Sequence, residues 1–264
     1  MKYCWLIFSL LFSYVVNAQE PRLVLPIGHT IGIETISISN DEKKAVTSSN
    51  EKVAKVWDIQ SGLLISNLIS QTENINIAKF TKDSKKIITA SWDGILKIWS
   101  SNTLEILSTI KLHNSYIRSL EFSCDNKYVI TTSTDSSIKI CSIDSGIIIK
   151  SFKCYNKIPS KSFISLNGSY VIASFENDTA QIWSFDSNQL VHTFSHGGED
   201  IESIDLCPEG KKMLTSSYNM LKIWDIQSGR LLTSISSTNY CLLNAQFSTD
   251  GQKIVTFGNN SIAY

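Results

Sequence analysis

The sequence predicts an all-β chain in which one unit of four short antiparallel strands recurs about every 42 residues. Three observations carry that prediction. A Trp-centred segment returns at fixed spacing, a turn-plus-strand segment returns ahead of it with the same period, and no stretch sustains helical spacing.

The Trp-centred segments are KVWDIQSG at 55–62, KIWSSNTL at 97–104, KICSIDSG at 139–146, QIWSFDSN at 181–188 and KIWDIQSG at 222–229. Their anchors, Trp57, Trp99, Cys141, Trp183 and Trp224, are separated by 42, 42, 42 and 41 residues. Ahead of them run NDEKKAVTSS, KDSKKIITAS, CDNKYVITTS, LNGSYVIASF and PEGKKMLTSS. A sixth such segment, TDGQKIVTFG at 249–258, has no anchor after it. Asn, Asp and Gly at the heads of these segments supply the positive φ of a tight hairpin turn. The residues that follow are β-branched and alternate in polarity, the period of a strand. Past each anchor comes a Ser/Asn/Gly turn and another apolar strand, as in LLISNLIS and LLTSISS. The four strands of a unit are lettered a to d in chain order.

Composition narrows the function classes. The 264 residues include 24 basic and 24 acidic side chains, and 42% are hydrophobic, enough apolar surface to build a core. Balanced charge argues against nucleic acid or an anionic membrane as the main partner, since both call for a basic surface. With 12 Gly and 4 Pro, a collagen-like or linker-like chain is excluded.

Residues 1–18, MKYCWLIFSLLFSYVVNA, read as a signal peptide. Lys2 gives a positive start, and the apolar run from Trp5 to Val16 is shorter than the ~20 residues needed to span a bilayer. Small residues at Val16-Asn17-Ala18 place cleavage before Gln19, so the mature chain is expected to be secreted or periplasmic, with no stable membrane insertion. The cysteines left, Cys124, Cys141, Cys154, Cys207 and Cys241, are odd in number and contain no CxxC pair, which reads as buried free thiols rather than a disulfide framework.

The period, the Trp-Asp pairs Trp57-Asp58 and Trp224-Asp225, the dipeptide Gly28-His29 and the SPDGK-like turns together resemble WD40 repeats over essentially all of 21–264. The resemblance implies a β-propeller of four-stranded antiparallel blades, five full repeats plus an incomplete sixth, occupying 19–264. Blades of this kind bury one another's faces.

The resemblance also implies a hydrogen-bonded chain within each blade. It runs from a Trp on strand c to a Ser/Thr on strand b, a His in the d–a loop and an Asp in the b–c turn. The first repeat offers His29, Ser49, Glu51 and Trp57, and the second Ser91, Asp93 and Trp99, with Gln71 at the His position. The third offers His113, Ser133 and Asp135 with Cys141 replacing Trp. The fourth keeps Trp183 beside Phe175 and Asn177, and the fifth keeps Ser216 and Trp224 beside Tyr218. No repeat holds all four residue types, so a weakened network is expected.

Strand b of the sixth segment places its anchor at 266, beyond Tyr264. Two readings follow: the N-terminal part of a longer protein, or a six-bladed ring with ragged closure. The first is preferred, because an open ring exposes unpaired strand edges.

Catalytic signatures are missing: the sequence has no GxSxG, GxxxxGK, HExxH or EF-hand loop. His192 and His196 on one strand would stand ~13 Å apart, too far to share a metal. No catalytic residue, metal or cofactor is therefore assigned. The resemblance implies a protein or peptide partner on the rim formed by d–a loops and b–c turns. Candidates there are Trp92, Tyr116, Tyr155, Glu176 and Tyr240, since aromatics dominate binding hot spots. The expected function is a non-catalytic interaction module. The alternative is the sensor or recruitment arm of a larger enzyme, such as a caspase-like peptidase, whose catalytic domain lies outside this chain.

Overall fold

A computed structural model describes residues 28–69, 72–154, 157–166, 168–176, 178–236 and 242–258. The signal segment and Gln71, Tyr155, Asn177, Tyr240 and Cys241 lie outside the described residues.

Among the described residues the chain forms 22 strands and no helix. The first sheet contains β1 (Ile33–Ile38), β2 (Lys44–Ser49), β3 (Val53–Asp58) and β4 (Leu64–Ile69). The second contains β5 (Ile75–Phe80), β6 (Lys86–Ser91), β7 (Ile95–Ser100) and β8 (Ile106–Lys111). The third contains β9 (Ile117–Phe122), β10 (Tyr128–Ser133), β11 (Ser137–Ser142) and β12 (Ile148–Lys153). The fourth contains β13 (Pro159–Ile164), β14 (Tyr170–Phe175), β15 (Thr179–Ser184) and β16 (Leu190–Ser195). The fifth contains β17 (Ile201–Leu206), β18 (Lys212–Ser217), β19 (Met220–Asp225) and β20 (Leu231–Ser236), and β21 (Leu242–Phe247) pairs with β22 (Ile254–Gly258). Every sheet is an antiparallel meander in chain order, as expected for propeller blades.

The strands use their period of two to feed two different cores. On β6, Ile87 packs between the first and second sheets while Ile88 packs between the second and third. Val129 and Ile130 on β10, Val171 and Ile172 on β14, and Met213 and Leu214 on β18 divide in the same way. Each core therefore lies between two blades, not inside one. Trp99, Cys141, Trp183 and Trp224 all face the core shared with the preceding blade.

Neighbouring blades are also stitched by hydrogen bonds one repeat apart. The first strand of each sheet is an edge strand, so half its N–H groups have no partner within the sheet. Neighbouring side chains supply partners. Ala78 and Phe80 donate their N–H groups to Thr35 Oγ1 and Ser37 Oγ, both at 3.1 Å. Ala245 and Phe247 donate to Ser203 Oγ at 2.9 Å and Asp205 Oδ2 at 2.7 Å. Because Thr35 and Ser37 turn toward the second sheet, Ile36 between them faces away and is 67% exposed.

The a–b turns follow one chemistry. Ser39, Thr81, Ser123 and Ser248 each donate a hydroxyl to the Asp two residues on, and that Asp caps the turn backbone. Positive φ falls on the third residue of each segment, on Asn126, Gly168, Gly210 and Gly251 as expected, and on Glu42 and Ser84 where neither Asn, Asp nor Gly stands. Asp serves four of these turns as an acceptor, and Gly or Asn takes the positive φ in four of the six.

One glycine is irreplaceable by this geometry. Gly94 has φ of 78°, and a Cβ there would collide with the carbonyl oxygen of His113. Gly94→Ala is expected to cost about 2 kcal/mol or more, lowering the urea midpoint by roughly 1 M, as read by equilibrium unfolding.

Candidate functional site

The polar chain within the blades is present, but its hydroxyl is not the serine expected. Trp57 Nε1 donates to Thr47 Oγ1 at 2.8 Å, Trp99 Nε1 to Thr89 Oγ1 at 2.9 Å and Trp224 Nε1 to Thr215 Oγ1 at 2.8 Å. The Thr hydroxyl in turn meets a His Nε2: His29 at 2.9 Å from Thr47, His113 at 2.8 Å from Thr131 and His196 at 2.6 Å from Thr215. Indole donates to hydroxyl, hydroxyl donates to imidazole, and Nδ1–H is left to reach an acid. Ser49 and Ser133 bond the backbone of d–a loops instead, and Ser91 bonds Asp93. Ser216 pairs with Ser203 at 2.7 Å.

The first blade is complete. His29 Nδ1–H donates to Glu51 Oε2 at 2.7 Å, so Glu replaces Asp without breaking the chain. Burial alone would raise the Glu51 carboxyl, but bonds from Thr30 and His29 hold it at about 2. In the third blade His113 Nδ1 lies 3.2 Å from Asp135 and 3.0 Å from Ser137 Oγ. Cys141, where a Trp is expected, is fully buried, and burial pushes its thiol up to about 11. Cys154 and Cys207 are buried free thiols as well, whereas Cys124 is exposed, which corrects the expectation for that residue. In the second blade Asp93 accepts bonds from Ser91 and Thr72. In the fifth, His196 is the residue that sequence reasoning missed. It reaches Thr215 and leaves Nδ1 unbonded, while His192 turns to the carbonyl of Gln227 at 3.1 Å.

The rim candidates gather at one end of the sheets. Trp92 sits in the β6–β7 turn, Tyr116 in the β8–β9 loop and Glu176 in the β14–β15 turn. The rings of Trp92 and Tyr116 meet edge to face with centroids 5.7 Å apart. Backbone bonds pin all three. Trp92 N–H donates to Asn74 O, Thr134 N–H to Tyr116 O and Glu176 N–H to Ile158 O, each at 3.1 Å. Trp92 is nevertheless 43% exposed. Tyr155 and Tyr240 fall outside the described residues.

A β-bulge sits at the second residue of every first strand: Glu34, Asn76, Arg118, Ser160, Glu202 and Leu243. Bulges re-aim side chains at rims. Arg118 reaches Glu176, 58 residues further along the chain, to form an ion pair. Tyr116, Arg118 and Glu176 line one cavity of about 610 Å³ with Lys161, Asp200 and Glu202. Burial raises the Tyr116 phenol, and Glu34 adds to the effect. No group of three or more His, Cys, Asp or Glu side chains placed to hold a metal occurs among the described residues.

The buried histidines make stability depend on pH. Burial pushes His113 and His196 down from 6.5 to about 4. The unfolded chain takes up these protons below about 6.5 while the folded chain does not, so stability is lost as pH falls from 6.5 toward 4. Urea unfolding at pH 7.5 and pH 5 is expected to differ by on the order of a few kcal/mol. His113→Gln is expected to flatten that slope.

Comparison with curated proteins finds no match. Comparison with protein families matches the WD domain, G-beta repeat, over residues 20–58, 62–100, 104–142 and 188–225, more than half of the chain. The stretch between the last two matched segments, 143–187, holds β12 to β15, whereas β16 falls inside the last matched segment. WD40 repeats serve in general as platforms for protein partners and not as catalysts. On its matched repeats, its four-stranded blades and its Trp–Thr–His chains, this chain belongs to the WD40 repeat family.

Proposed function

We propose that this chain is a non-catalytic, exported interaction module that holds a protein or peptide on the rim formed by its b–c turns and d–a loops. The observation that carries the reading is the Trp92–Tyr116 pair. It is an aromatic corner fixed by backbone hydrogen bonds on both sides, yet open to solvent on the Trp92 face. A rigid exposed aromatic loses little entropy on binding and contributes a large contact area. The Arg118–Glu176 pair beside it presents both charge signs to an incoming chain.

A quantitative pull-down with the purified chain tests the reading. Trp92→Ala is expected to lower retention of the partner about ten-fold or more, the loss typical of a hot-spot aromatic. Failure of the native chain to retain any specific partner contradicts it, and so does equal retention by the variant.

Export rests on residues 1–18, whose apolar run and small-residue terminus fit a cleaved signal. N-terminal sequencing of the protein made in its own cell is expected to begin at Gln19. A start at Met1 contradicts export by this route.

A further inference from the structure

The first sheet has one covered face and one open face. Val46, Ala54, Val56 and Leu68 are buried against the second sheet. The opposite face carries Ile33, Ile36, Ile38 and Trp57. The registers place Ile33 across from Ser49, Ile36 across from Thr47, Ile38 across from Ala45, and Ala45 across from Trp57, and residues directly opposite share a face. Val53 lies on the same side of β3 as Trp57, and its partner Ile69 carries the face onto β4.

The corresponding residues of the second sheet, Ile75, Ala78, Phe80 and Trp99, are all buried in the core shared with the first. In the first sheet the four isoleucines are each more than half exposed, and Trp57 is only half-buried. The outer face of the first sheet is therefore built as an inter-blade face, yet among the described residues no other sheet packs on it. A contiguous apolar surface drawn from all four strands marks a contact with another macromolecule, unlike single scattered side chains.

Chemistry and shape narrow the occupant. Outside the bulge at Glu34, the registers place one charge on this face, Lys55, so a charged partner gains little there. A twisted sheet packs best on a second sheet of the same twist, about 10 Å away. The sheet at the other end of the described chain, β21–β22, presents Asn244 and Gln246 beside Val255 on its outer side. That side is polar along β21, and joining it to the first sheet of another copy makes a head-to-tail contact. The isoleucine face of a second copy instead matches in length, spacing and chemistry, and a two-fold axis closes the pair. Four strands of six residues make a face of roughly 20 by 19 Å, so two such faces bury on the order of 1,000 Å², the low end for a specific interface.

We propose that the chain forms a two-fold dimer through the outer face of its first sheet, with Ile36 and Ile38 of each copy packed on the sheet of the other. Trp92, Tyr116 and Glu176 belong to other sheets and loops, so the dimer stands or falls independently of the rim reading.

Sedimentation equilibrium of the purified chain tests it. The expected result is a reversible monomer–dimer equilibrium with a dissociation constant on the order of 10 µM, as suits an interface of this size. Salt at about 0.5 M is expected not to weaken it, since apolar burial and not charge holds it. Ile36→Lys places a charge inside the contact and is expected to weaken the dimer about ten-fold or more, while the monomer stays folded because Ile36 is already exposed there. Val255→Lys is expected to change nothing. A chain that stays monomeric up to about 200 µM overturns the proposal, whether the face is then bare or covered by residues 19–27. A dimer that survives Ile36→Lys overturns it, and so does one that salt dissociates. Dissociation by Val255→Lys assigns the contact to a head-to-tail arrangement and overturns it as well.

Discussion

A sheet whose strands alternate residue by residue between two apolar sides cannot be stable alone, because half of its apolar surface has nothing to cover it. That constraint organises this chain. Ile87 and Ile88 are chain neighbours, yet they belong to different cores. Each blade therefore completes its neighbours on both sides, and the natural unit of stability is the interface between blades. The hydrogen bonds one repeat apart follow the same logic, since the edge strand of one blade finds its missing partners on the side chains of the blade before it.

The Trp–Thr–His chain solves a second problem set by the first. Packing a Trp into the inter-blade core buries its N–H, and a buried donor without a partner is costly. Thr on the adjacent strand accepts from the indole and donates its own hydroxyl to a His from the loop ahead of the blade's first strand, so one hydroxyl settles two buried groups. The third blade avoids the problem by replacing Trp with Cys141, a small apolar side chain with a weak donor. The fourth keeps the Trp but places Ala173 where the other blades have Thr.

The fold was legible because the period is long, the anchors are bulky and the alternation is clean. The partner of the anchor was harder to read. Thr47 and Ser49 are two residues apart on one strand and so share a face, and sequence offset alone does not say which hydroxyl stands beside the indole. In the fifth repeat the turn is one residue shorter, which moved the reading onto Ser216, on the opposite face from Thr215. His196 was obscured by His192 four residues earlier, which invites a metal reading. Its real signal was the interval of 19 residues to Thr215, close to the 18 from His29 to Thr47 and from His113 to Thr131. Trp92, Tyr116 and Glu176 could be assigned to one end from turn positions. The Arg118–Glu176 ion pair could not, because it links a bulged strand residue to a turn residue 58 positions away across a blade boundary.

The central claim is that the interfaces, and not the individual blades, hold the chain together. Native-state amide hydrogen exchange on a Leu120→Ala variant tests it most directly, since Leu120 belongs to the third blade but is buried in the core shared with the second. The account predicts that protection falls together in β5–β8 and β9–β12, on both sides of the interface. Loss confined to β9–β12, with β5–β8 protected as before, would contradict it.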